Sequence, residues 1–261
     1  MATGVLEDRL RAGRNAGRKL LVPYVTGGLP GWERVVEAVA DAGADAIEVG
    51  IPFSDPVMDG PTIQAASERA LAAGATPFGI VGGLGRLEVG GVPLVVMTYY
   101  NPVHRAGPRR FAAWLADAGV AGAIVPDLPL EEVGDWATAA DDAGVETILL
   151  AAPTASDERL AGICARSRGW VYGVGLLGVT GERDELRRSA LEIAARLKAV
   201  TDRPVLVGVG VSTPEQAAGV AAVADGVIVG SALVRRLLDG GGPEAAAAFV
   251  GELRAGLDAL A

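Results

Sequence analysis

The chain has 261 residues, half of them hydrophobic, and a formal net charge of −9 from 32 Asp+Glu against 23 Lys+Arg. The acidic balance argues against a general nucleic-acid binder, which needs basic charge to displace counterions, and the apolar content is too high for a disordered chain. A single cysteine, Cys164, excludes an intrachain disulfide and any multi-cysteine zinc or iron–sulfur site.

The first twenty residues carry Glu7 and Asp8 where a signal peptide would have its apolar core. No apolar run approaches the roughly 18 residues of a membrane span. The expectation is a cytoplasmic protein with no membrane and no nucleic-acid partner.

Eight short apolar, β-branched runs then follow: LLVPYV (20–25), AIEVGI (46–51), PLVVMTY (93–99), AIVPDL (123–128), ETILLAA (146–152), WVYGVG (170–175), PVLVGVG (204–210) and GVIVGS (226–231). Continuous runs of this length suit strands buried on both faces of a parallel sheet. Helical segments lie between them. GWERVVEAVADAG puts Val35, Val36, Val39 and Ala40 on one stripe and ends at Gly43; SDERLAGICARS opens on Ser156 as N-cap, and TPEQAAGVAAVA on Thr213 with Pro214 at the first helical position. The connection 52–92 has room for two helices, 61–73 and 77–88. The phrases at 41–43, 117–119, 142–144 and 224–226 repeat a DAG or ADG ending, as expected of glycine C-caps. Strand–helix alternation with short loops means βαβ units, and eight of them in about 250 residues is the count of a closed (β/α)8 TIM barrel. A doubly wound open sheet is the alternative. With no linker or charge run, residues 1–261 read as one domain.

Active sites of such barrels lie at the C-terminal strand ends. Three features fall there. In AIEVGI, Ile47, Val49 and Ile51 share one face, while Ala46, Glu48 and Gly50 share the other. That directs Glu48 into the barrel, where an unpaired carboxyl should be raised toward a value useful in acid–base chemistry; the alternative is a core glutamate satisfied by a hydrogen bond. The loop IPFSDPVMDGPTIQ (51–64) carries Asp55 and Asp59 between three prolines, and turn chemistry alone accounts for aspartates in such a place. Glycine-rich stretches at 178–181, 208–212 and 229–232 follow strands six to eight, where barrels often bind phosphate with backbone N–H groups and a helix N-terminus; the alternative is tight turns only. Ser231 could add a hydroxyl and cap the next helix.

The rest of the inventory is sparse. The only lysines are Lys19, before the first strand, and Lys198, late in a helix; neither sits where a Schiff base would form. His104 is the only histidine, which disfavours a histidine metal cluster. It reads as a loop residue, and Cys164 as core. What remains suits metal-free acid–base chemistry on a phosphorylated small molecule.

The run EVGIPFSDPVMDGPTIQ (48–64) closely resembles the signature of the tryptophan synthase alpha chain family. So do PYVTGG (23–28), MTYYNPV (97–103), VPDLPLEE (125–132), LLGVTG (176–181), GVSTPEQA (210–217) and DGVIVGSALV (225–234), in family order along almost the whole chain. The resemblance implies a (β/α)8 barrel that cleaves indole-3-glycerol phosphate to indole and glyceraldehyde 3-phosphate by a reversible retro-aldol reaction. It implies no cofactor in this chain, and a beta chain partner that holds pyridoxal phosphate, in a heterotetramer of two alpha and two beta chains. It implies Glu48 and Asp59 as catalytic carboxylates and Tyr172 as a site tyrosine. It implies Gly181, Gly210, Gly230 and Ser231 as the phosphate cradle, and Tyr24, Ile63, Met97, Tyr99, Ile124 and Val209 as the indole pocket. Thr180 matches a threonine on a mobile lid, and 52–56 and 127–132 match surfaces turned toward beta. Two positions depart from some family members: Leu176 stands where an arginine occurs, and Tyr24 where a phenylalanine occurs. Other readings of the same motifs are a stand-alone lyase, a non-catalytic activator of a beta chain, or another phosphate-binding barrel such as an epimerase.

Overall fold

A computed structural model describes residues 3–175, 183–208 and 210–260. The expected positions Thr180, Gly181, Val209 and Leu176 lie outside the described residues.

Eight parallel strands close on themselves: β1 Leu20–Thr26, β2 Ile47–Gly50, β3 Leu94–Met97, β4 Gly122–Ile124, β5 Glu146–Ala151, β6 Val171–Val174, β7 Val205–Gly208 and β8 Gly226–Val229. Closure is direct, since β1 pairs with both β2 (Tyr24↔Glu48) and β8 (Leu21↔Val227). That removes the open-sheet alternative. Every expected strand is present, but most are shorter at the C-terminal end. β4 stops at Ile124, because Val125–Leu128 close a turn (Leu128 N–H to the Val125 carbonyl, 3.2 Å) and Pro126 has no N–H to give to a ladder.

The connecting helices are α2 Trp32–Asp41, α3 Pro61–Ala72, α4 Pro77–Leu84, α5 Tyr100–Ala106, α6 Pro108–Asp117, α7 Gly134–Ala143, α8 Asp157–Arg166, α9 Arg183–Val200, α10 Pro214–Ala221, α11 Ser231–Leu238 and α12 Pro243–Asp258. Ser156 and Thr213 cap α8 and α10, each accepting from the N–H three residues on. Gly43, Gly119 and Gly144 end their helices at positive φ. Gly226 does not. It opens β8, and a Cβ there would collide with the Leu20 carbonyl oxygen, so its role is close strand approach rather than helix capping. His104 lies in the short helix α5, exposed, rather than in a loop, and Cys164 is buried. Among the described residues no helix is long and apolar enough to cross a membrane.

Strand alternation sorts the side chains into two cores. Outward residues such as Leu21, Val25, Ile47, Val49 and Val207 pack against the helices. Inward residues Leu20, Val22, Ala46, Val95, Ile124, Ile148, Trp170, Leu206 and Ile228 fill the barrel. The N-terminal end of the barrel is plugged by an unanticipated helix, α1 (Val5–Asn15), whose Leu6 and Leu10 join the inner core and are wholly buried.

Buried acids at this closed end are all matched. Glu146 accepts from the Leu6 and Glu7 N–H groups (2.7 and 3.1 Å), supplying α1 with a helix cap from another strand. Glu7 pairs with Arg11 and Arg203. Asp45 binds Arg18, Arg254 and the Leu21 N–H, and Asp225 binds Lys198 and the Val205 N–H. Replacing Glu146 with alanine should leave the α1 amides unsatisfied and lower unfolding free energy by about 1–3 kcal/mol in urea titrations. The site at the opposite end should keep its ligand affinity; unchanged stability would refute the role of Glu146 as a cap.

Candidate active site

At the C-terminal strand ends the barrel opens into a cavity of about 350 Å³. Its walls come from all around the rim: Tyr24 on β1, Glu48 on β2, Met97 on β3, Leu150 on β5, Tyr172 on β6, Gly208 on β7 and Ile228 on β8.

Glu48 sits mid-strand in β2, with Tyr24 and Val95 beside it in register. Because Ile47 and Val49 take the outward positions, Glu48 points inward, as the alternation requires. It is only 1% exposed and its Oε2 has no hydrogen-bond partner. Burial, and secondarily the charge of Asp59, pushes its carboxyl up to about 8. At neutral pH this side chain is a carboxylic acid.

Asp59 reaches the same cavity from the loop between β2 and α3. The loop is compact, with Val57 N–H on the Asp55 carbonyl and Asp59 N–H on the Pro56 carbonyl. Pro61 begins α3, and the Gln64 amide holds the Asp59 carbonyl at 2.9 Å. Burial raises the Asp59 carboxyl to about 6, while a hydrogen bond from Tyr99 opposes the rise. Asp59 is therefore mainly ionised at neutral pH, beside a protonated Glu48. Two carboxyls with different protonation states in one cavity are the raw material of acid–base catalysis. Asp55 is exposed, bonded to Ser54, and does not line the cavity.

Tyrosines crowd the two acids. The Tyr24 phenol lies over Gly50, and the Tyr172 phenol over Gly208; a Cβ at either glycine would overlap the ring that covers it. Both hydroxyls are held protonated by burial, reinforced by the nearby carboxylates. Gly50 and Gly208 are thus space-making positions. The glycine-rich stretch 208–212, which the sequence suggests for phosphate binding, thus begins with a glycine whose place is set by the Tyr172 ring.

At the other end of the cavity lie Gly210, at φ +63°, with Gly230 and Ser231. Gly230, not Ser231, is the N-cap of α11; Ser231 is the first helical residue and makes no capping bond. Ser231 is exposed at the N-terminus of α11, where the helix dipole favours an anion.

Ile63 and Met97 line the cavity, as expected. Ile124 does not. It is wholly buried in the inner core, one layer down, and Pro126, two residues on and on the same face, takes the lining position. Tyr99 is also absent from the wall and stands against the 52–60 loop instead. Met58, Leu150 and Ile228 went unnoticed as wall residues, although extending the inward alternation by two residues from Ile148 finds Leu150. Among the described residues no group of three His, Cys, Asp or Glu side chains is placed to hold a metal.

The profile of the family described as "Tryptophan synthase alpha chain" matches residues 10–254. The curated tryptophan synthase alpha chain of Thermobifida fusca is 45% identical, covering 98% of this chain and 99% of its own length. That of Streptomyces avermitilis is also 45% identical, over 97% and 94% of the two chains. Among solved structures, Mycobacterium tuberculosis tryptophan synthase superposes with a TM-score of 0.90 at 42% identity, covering 98% of this chain and 99% of that one. The alpha subunit from Legionella pneumophila gives 0.87 at 32% identity, over 99% and 100%. Matched along nearly its whole length in sequence and in fold, the chain belongs to the tryptophan synthase alpha chain family.

Proposed function

We propose that the cavity cleaves indole-3-glycerol phosphate into indole and glyceraldehyde 3-phosphate, reversibly and without a cofactor in this chain. The observation that carries the reading is a buried, protonated Glu48 sharing one cavity with an ionised Asp59. Family membership and the anion-favouring end at Gly210, Gly230 and Ser231 support the substrate. In this reading the phosphate lies at the α11 N-terminus and the indole ring between Tyr24, Ile63 and Met97.

The reaction then runs as a proton cycle on Glu48. Its carboxylic acid protonates indole C3, and the positive charge that develops on the ring is held by Asp59 through the indole N–H. The carboxylate left on Glu48 takes the proton from the side-chain hydroxyl on the carbon attached to C3. That carbon becomes the aldehyde, the carbon–carbon bond breaks, and its electron pair returns to the ring. Glu48 ends protonated, as it began. Tyr172 stays neutral throughout and supplies a hydroxyl near the scissile side chain.

The partner in this reading is a tryptophan synthase beta chain carrying pyridoxal phosphate, assembled as two alpha and two beta chains in the cytoplasm. The loop beside Asp59 exposes Val57 and Met58, 80% and 52% accessible, which suits a surface covered by another chain. Indole release from indole-3-glycerol phosphate, with and without beta, tests the assignment. Slow release that rises about tenfold or more with beta is expected; fast release alone would indicate a stand-alone lyase, and none in either assay would refute the activity.

Glu48→Gln should lose about 10²–10⁴-fold in cleavage while still binding the substrate, and cleavage within a few-fold of the parent would sink the proton cycle. The same substitution should stabilise the fold at pH 8. Between pH 4.5 and about 8 the folded parent keeps a proton that the unfolded chain has lost, so parental stability falls as pH rises, and the amide escapes that loss. Asp59→Asn should fold normally and lose about 10²–10³-fold in kcat. The pH–rate profile should be bell-shaped, falling below about 6 as Asp59 protonates and above about 8 as Glu48 ionises; a profile flat from pH 5 to 9 would contradict both assignments.

A further inference from the structure

We propose that Tyr99 is a positioning residue for Asp59: its hydroxyl pins the loop to the end of β3 and aims the carboxylate into the cavity. The inference rests on the reading of Asp59 as a catalytic group and deepens it.

Tyr99 stands two residues after β3, at the start of α5, and is 5% exposed, yet it does not line the cavity. Its phenol is turned to the 52–60 loop. The Met58 N–H donates to the Tyr99 hydroxyl oxygen at 2.9 Å, which fixes the residue immediately before Asp59. The ring stacks on Phe53 from the start of the same loop, with centroids 5.1 Å apart and planes at 23°. With its oxygen engaged by Met58, the hydroxyl has its proton free for the Asp59 carboxylate. One side chain thus grips the loop at its start, at its backbone before Asp59, and at the carboxylate itself. The backbone that carries Tyr99 is tied in turn, since the Tyr100 N–H donates to Asp127 in the loop after β4 at 2.8 Å. Among the described residues Gln64 is the only other side chain that bonds this end of the loop, and it reaches the Asp59 carbonyl rather than its carboxylate.

The hydrogen bond has a chemical consequence. It stabilises the ionised form of Asp59 against the burial that would neutralise it. The other titratable groups that face Asp59 are Glu48 on β2, Tyr24 on β1 and Tyr172 on β6. Among the described residues no basic side chain lines the cavity, and Tyr99 is the neighbour that opposes the effect of burial on this aspartate.

Tyr99→Phe tests the assignment in the full chain, because phenylalanine keeps the stack on Phe53 and removes only the hydroxyl. The expected result is a fall in kcat of about ten- to a hundredfold with KM within about twofold of the parent. The acidic limb of the pH–rate profile should move to higher pH. A rise in KM with the limb unmoved would make Tyr99 a wall of the indole pocket, and unchanged kinetics would leave it structural; either overturns the proposal. Asp59→Asn is measured in parallel. If that variant retains full cleavage, the catalytic assignment of Asp59 falls and takes this inference with it. If it is inactive while Tyr99→Phe matches the parent, only the inference falls.

Discussion

The site depends on one constraint: a carboxyl buried at the open end of a closed barrel with no cation beside it. At the closed end every buried acid has its partner, with Glu7 on Arg11 and Arg203, Asp45 on Arg18 and Arg254, and Asp225 on Lys198. Those pairs tie helices to strand starts. Glu48 is as deeply buried, but among the described residues its titratable neighbours are tyrosines and another acid. With no cation among them to balance a charge, the cheapest response is to keep its proton. The same residue type is thereby an ion-pair partner at one end of the barrel and a protonated carboxyl at the other, and the difference lies in the neighbours.

Closure makes that isolation possible. In an open sheet β1 and β8 would be edges, and Glu48 would lie nearer solvent. Pairing β1 with β8 brings Tyr24 and the Gly230–Ser231 turn to the same rim as Glu48. The rim is then too crowded for a side chain at every inward position. Gly50 and Gly208 leave the space into which the Tyr24 and Tyr172 rings fold. Tyr24 adds a neutral hydroxyl to this lining. Burial, and secondarily the charge of Asp59, keeps its proton in place.

Much of this could be read from the residues in order. The eight strands, the two helices in 52–92, the caps at Ser156 and Thr213 and the inward turn of Glu48 all follow from local patterns with a fixed period. The misreadings have a common cause, because each needs a contact made far along the chain. Helix α1 looks like a polar N-terminal stretch, since only Leu6 and Leu10 face the core and its cap is Glu146. Gly226 looks like a helix cap until Leu20 is placed against it. Ile124 looks like pocket lining until β4 is seen to end there, one layer beneath Pro126. Tyr99 looks like a wall until the loop folds back over it. Glu48 needed only the alternation of its own strand; the environment of Asp59 needed the structure.

The two acids are also held by different means. Glu48 belongs to a strand whose backbone is bonded on both sides, to β1 and to β3, so its position moves only if the barrel moves. Asp59 stands on a loop secured by side chains, Tyr99 and Gln64, and by two turn bonds. Such an anchorage can shift without cost to the hydrophobic cores. The exposed residues Val57 and Met58 are the two that immediately precede Asp59, and Met58 itself carries the N–H bonded to Tyr99. That exposed surface is therefore contiguous with the backbone that carries one carboxylate and remote in sequence from the other. Glu48 is thus built into the barrel scaffold, while Asp59 is held by side-chain contacts on a loop.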